Sequence, residues 1–150
     1  MIGGAVLAVG LAAACAGAAE AGVVPRAGAE ARAAVVAERQ ALAHLPSATG
    51  STAGYRQAAA NVNAALSNLR AAESRLASYA RSTGPFPNDA RIDQLLSVAL
   101  AANNLAATNL QEILLLIAHG APPFEPAVRQ VRAKLNEAVA ASVPLAKLLS

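Results

Sequence analysis

At 150 residues the chain has room for one domain, and 55% hydrophobic types with only four aromatic residues favours alanine-rich helix over sheet. The net charge of +3 comes from twelve basic and nine acidic residues dispersed along the chain, which excludes a basic stripe interleaved with stacking aromatics and hence nucleic-acid binding. The single cysteine, Cys15, excludes an internal disulfide and offers no metal-ligand spacing.

Residues 1–25 read as an apolar membrane segment. The 18 residues from Ile2 to Ala19 carry no charge, and as a helix they would reach about 27 Å, close to the thickness of a hydrocarbon core. The driving force is concentrated in Ile2, Val6, Leu7, Val9 and Leu11. Gly3, Gly4, Gly10 and Gly17 among alanines give small-residue surfaces that let membrane helices approach closely, so the segment is predicted to need helical partners. Arg26, Arg32 and Arg39 follow it and no charge precedes it, which places the C-terminal part in the cytoplasm by the positive-inside rule. Two export readings stand beside this one: cleavage at Ala16-Gly17-Ala18, or lipid attachment at Cys15. Neither motif is complete, because Met1 to Gly4 lacks a basic residue and Leu11 sits one position too early for a lipobox.

Residues 26–150 read as a helical bundle. Pro25 is predicted to end the apolar segment, and a first helix runs from about Gly28 to Leu45 with Val35, Val36, Leu42 and Leu45 facing inward. Residues 46–50 read as a turn. A second helix, about Thr52 to Arg81, carries a heptad seam of Tyr55, Ala58, Val62, Ala65, Leu69, Ala72, Leu76 and Tyr79. Residues 83–87 break the chain, and Asn88 or Asp89 is predicted to cap a third helix reaching Ala118, closed by His119-Gly120. Its seam is Ile92, Leu96, Ala99, Asn103, Ala106, Leu110, Ile113 and Ile117. A last helix begins near Pro126 with Val128, Val131, Leu135, Val139 and Leu145 inward, and Pro144 is predicted to kink or shorten it. The expected fold is therefore all-α: an N-terminal apolar, transmembrane helix followed by an antiparallel bundle of three to four helices.

Catalytic patterns are missing: no nucleophile elbow, phosphate loop, zinc-binding H-E-x-x-H or cysteine–histidine arrangement occurs. The chain is not expected to be an enzyme or to hold a cofactor or metal. His44 and His119 each fall at a helix end, where a cationic form favours the dipole. The acids are predicted mostly on outward faces, several with a basic residue three or four places away, such as Arg70 with Glu73 and Glu125 with Arg129. The residues expected to make helix-seam or partner contacts are Tyr55, Val62, Leu69, Leu76, Asn103 and Leu110. Among them Asn103 is the exception in type, since a buried amide needs either an interhelical hydrogen bond or a polar ligand.

One combination of these segments is familiar. An apolar stretch opens with Ile2-Gly3-Gly4-Ala5 and reaches Pro25-Arg26, and a long helix carries Tyr55-Arg56-Gln57-Ala58, Asn63-Ala64, Leu69 and Arg75-Leu76. This resembles the last membrane helix and cytoplasmic part of the fusaric acid resistance (FUSC) family of aromatic acid exporters, over nearly the whole chain. Ala59 and Ala60 stand where that family has paired arginines, and Tyr79-Ala80 where it often has Glu-Pro. The resemblance implies an inner-membrane protein with a cytoplasmic C-terminal domain. Its partners would be other membrane helices or further copies of itself, and it would be unable to transport alone. The alternative is an exported, possibly lipid-anchored helical binding protein of the envelope.

Overall fold

The computed structural model describes residues 2–46, 51–122 and 125–150, with side chains described from residue 22 onward. Its elements are α1 (Ile2–His44), α2 (Thr52–Thr83), α3 (Asp89–Ala118) and α4 (Glu125–Leu148), and no strand occurs among the described residues. Each helix packs on its two neighbours in a closed square, α1 on α2 and α4, α3 on α2 and α4, while the backbones of the diagonal pairs stay apart. The all-α, antiparallel four-helix bundle expected from alanine content and heptad spacing is the observed architecture.

Pro25 does not end a helix. It lies inside α1, which is continuous from Ile2 to His44. Proline removes one N–H and crowds the carbonyl four residues back, a local cost that a helix held by tertiary packing on its C-terminal side can carry. The helix break expected at Pro25 is therefore corrected to one helix of 43 residues, about 65 Å long at ~1.5 Å per residue. Pro144 likewise lies inside α4, which runs on to Leu148 and is not shortened.

The seams explain the packing. In α2 every predicted seam residue from Tyr55 to Leu76 is buried, with Tyr79 half-buried, and in α3 the seam from Ile92 to Ile113 is buried with Ile117 half-buried. In α1 the inward residues are Ala27, Ala31, Ala34, Glu38, Ala41 and Leu45, spaced by fours and threes. Val35 is buried beside them, but Val36 is 54% exposed and Leu42 only half-buried, so the inward reading of these two is corrected. In α4 the buried series is Val128, Val131, Leu135, Ala138, Ser142, Leu145 and Leu149, with Val139 only half-buried. Alanine at these positions lets helix axes come close. At Gly28 the approach is tighter still, since an added Cβ would lie 2.7 Å from the Leu149 carbonyl oxygen.

The ends are closed by local chemistry. Gly84, at φ 85°, donates its N–H to the Ala80 carbonyl and lets the chain leave α2. Phe86 then folds under the bundle end and meets Tyr79 edge-to-face at 5.9 Å between ring centres. Asn88 is the N-cap residue of α3, as expected, in the left-handed conformation (φ 63°) and without a side-chain capping bond. At the other end of α3, Gly120 at φ 78° allows Ala121 N–H to reach the Leu116 carbonyl, the stop that His119-Gly120 predicts. The turn reading for 47–50 lies outside the described residues.

Candidate functional site

The core is interrupted once. Among the described residues Glu38 on α1, Asn103 on α3 and Ser142 on α4 are the buried polar ones, each fully shielded from solvent. They separate two apolar clusters. One contains Ala27 to Ala37 of α1, Leu69 and Leu76, and Leu145; the other contains Ala41, Tyr55, Val62, Leu110 and Leu135. The predicted contact residues thus sort themselves: Leu69 and Leu76 in the first cluster, Tyr55, Val62 and Leu110 in the second, and Asn103 in the polar layer between.

Asn103 donates through Nδ2 to Glu38 Oε1 at 2.8 Å and to the Ala99 carbonyl at 2.9 Å. Ser142 Oγ donates to the same Oε1 at 2.8 Å. The carboxyl of α1 therefore ties the diagonal helix α3 and its neighbour α4 into one hydrogen-bonded layer. Glu38 Oε2 and Asn103 Oδ1 have no partner. Both are acceptors while Glu38 is ionised, and an unfilled buried acceptor costs about 1–3 kcal/mol. Protonation turns Oε2 into a donor. Burial raises the carboxyl above its ordinary range, opposed by the hydrogen bonds from Asn103 and Ser142 and by the positive charge of Arg39. Those groups are the ones acting on it: an amide from α3, a hydroxyl from α4, and a guanidinium from its own helix.

Glu38 is the buried exception among acids that otherwise lie mostly on outward faces. Its signal was in the spacing, because it falls on the alanine seam between Ala34 and Ala41, and Ser142 falls on the α4 seam in the same way. The larger Val36 and Leu42 of α1 do not mark that seam, and its alanines do. The layer also sets helix register: sliding α1 by one heptad would face Glu38 with alkyl side chains and no donor, at a cost of several kcal/mol. Fully buried, the carboxyl does not meet solvent or a substrate, so the chemistry open to it is uptake or release of a proton.

The ion pairs differ from those expected at helical spacing. Arg75 Nε meets Glu30 Oε1 at 2.7 Å across α1 and α2, and Lys134 pairs with Glu137 at 2.9 Å within α4. Arg70, predicted beside Glu73, instead donates to Asn104 Oδ1 at 3.3 Å. Glu125 makes no ion pair with Arg129. His119 Nδ1 lies 2.8 Å from the Leu115 carbonyl, at the helix end where it was expected. Among the described residues no cluster of three or more His, Cys, Asp or Glu side chains could hold a metal.

Among the surface hollows of the bundle, two are each bordered by charges of one sign. Between α1 and α4 a groove of about 430 Å³ is lined by Arg32, Val35, Val36, Arg39, Val143, Ala146, Lys147 and Ser150. Between α2 and α3 a smaller hollow of about 190 Å³ carries Glu73, Asp89 and Asp93 around Leu76, Ala77, Ala80, Phe86 and Leu96.

No protein-family model, curated protein or solved structure matches the chain. The likeness to aromatic acid exporters thus rests on the motif residues alone. In the fold they divide into core (Tyr55, Ala58, Leu69, Leu76) and exposed surface (Arg56, Gln57, Asn63, Ala64, Arg75). Among the described residues no helix is long and apolar enough to cross a membrane. The uncharged stretch 2–19 lies outside the described side chains.

Proposed function

We propose that this chain is a membrane-tethered helical association domain. In this reading its uncharged N-terminal stretch is held in the cytoplasmic membrane and its four-helix bundle lies in the cytoplasm. It acts through contacts between helices and not through catalysis, in the manner of the last membrane helix and cytoplasmic domain of an aromatic carboxylic acid efflux protein. It does not transport alone.

The observation that carries this reading is the continuity of α1. A single helix joins the uncharged stretch to the bundle, so whatever holds the first part also orients the second. Register gives further support. Glu30 pairs with Arg75, and counting outward along the antiparallel helices puts Thr83, the last residue of α2, level with Gly22 of α1. The part of α1 before Gly22 thus has no length of α2 to pack on. Arg26, Arg32 and Arg39 follow at the start of the bundle, on the side that the positive-inside rule assigns to the cytoplasm.

The test is fractionation of the full chain in a bacterial host, with intact-mass analysis of the membrane-bound material. Retention after an alkaline carbonate wash, an unprocessed mass and a fluorescent C-terminal reporter are the expected results. Loss of the first fourteen residues with added lipid mass, or cleavage near Ala18, would replace this reading with the exported envelope protein. Full recovery in the carbonate wash would remove both.

A further inference from the structure

The two hollows lie on opposite faces of the square bundle, α1/α4 and α2/α3, and their charges are opposite. Arg32, Arg39 and Lys147 border the first without any ion pair or hydrogen bond. Its floor is open and apolar: Val36 is 54% and Val143 38% exposed. Glu73, Asp89 and Asp93 border the second, again with no ion pair, around the alkyl surface of Ala77 and Ala80. Neither set of side chains forms an ion pair within its own chain. Each set would meet its complement on another copy.

We propose that the cationic α1/α4 groove of one chain receives the acidic α2/α3 face of a second copy, so that chains associate side by side. The heights agree. The register set by Glu30 and Arg75 places Arg32 level with Glu73, and the link between Glu38 and Asn103 places Asp93 level with Gly28. The two charge sets therefore centre within about two helical turns, ~10 Å, of each other along the bundle axis. Because the donor and acceptor patches differ, the contact is heterologous and repeats from chain to chain until it closes or runs out of copies. Docked with the bundle axes parallel, each added copy keeps its α1 pointing the same way. A row of this kind suits a set of chains whose N-terminal stretches enter one bilayer. The proposal rests on the reading of the bundle as an association module and names its partner; membrane attachment is scored by a separate measurement.

The test uses the full chain in non-ionic detergent and two surface variants. R32E/K147E makes both faces acidic, and E73K/D93K makes both basic. All four positions are exposed, so helical content and melting temperature serve as the control for folding. The parent is expected above monomer mass by light scattering at low salt and to move toward monomer as salt rises from about 0.05 to 0.5 M, since screening shortens the reach of exposed charges. Each variant alone should weaken self-association at least tenfold. An equimolar mixture of the two should restore it, because each groove then faces the opposite charge on the other variant. Variants that associate like the parent, a mixture that stays monomeric, or a parent that is monomeric at low salt would each overturn the proposal. If groove reversal leaves the mass unchanged but abolishes binding to vesicles containing phosphatidylglycerol, the groove belongs to an anionic lipid and not to a second copy.

Discussion

Replacing Glu38 by glutamine tests the polar layer most directly. Glutamine keeps the Oε1 acceptor for Asn103 and Ser142 and supplies an N–H donor on the other arm, where Glu38 Oε2 has no partner. The parent carboxyl has a folded-state pKa raised above the 4.5 of a free side chain. Below pH 4.5 it is protonated in both native and unfolded chains, and its contribution to stability is fully present. Above that pH the unfolded chain releases the proton and the native chain does not. Stability then falls by up to about 1.4 kcal/mol per pH unit, until the native carboxyl itself ionises and the loss levels off. Glutamine does not titrate. Urea unfolding followed by helical circular dichroism, at half-unit steps between about pH 4.5 and 8, gives the stability of both proteins. Subtracting one from the other cancels every other titrating group. Expected is a difference that grows in favour of Glu38→Gln with rising pH, at a slope no steeper than about 1.4 kcal/mol per unit. A difference independent of pH, or one that shrinks as pH rises, would refute the raised folded-state pKa of Glu38.

Two further substitutions probe the packing. Leu69→Asp would bury a carboxylate among alkyl side chains without a partner and should remove more than about 4 kcal/mol of stability, enough to abolish cooperative unfolding; a variant melting like the parent would refute the α2 seam. Gly28→Val places a Cβ 2.7 Å from the Leu149 carbonyl oxygen. It should cost about 1–3 kcal/mol by forcing α4 away from α1, read as a fall of several degrees in melting temperature; an unchanged value would mean that the end of α4 does not rest on α1.

The sequence by itself determined the helices of the bundle and most of their inward faces. Heptad spacing in α2 and α3 needs only the helical period, so the run from Tyr55 to Leu76 and that from Ile92 to Ile113 were legible before any fold was known. Glycine and proline marked the ends of those helices for the same local reason, backbone geometry. Asn103 announced a buried hydrogen bond, because an amide on an apolar seam must find a partner.

Only the tertiary structure decided what that partner is. Glu38 lies 65 positions away in sequence, on a helix whose seam is written in alanines, residues too small for their burial to stand out from a hydrophobicity pattern. The continuity of α1 through Pro25 was likewise hidden, since a proline's local penalty is visible in sequence while the packing that offsets it is not. The opposed charges of the α1/α4 and α2/α3 faces became visible last. They join residues from four helices, and their positions on opposite sides of the bundle follow from which helix packs on which.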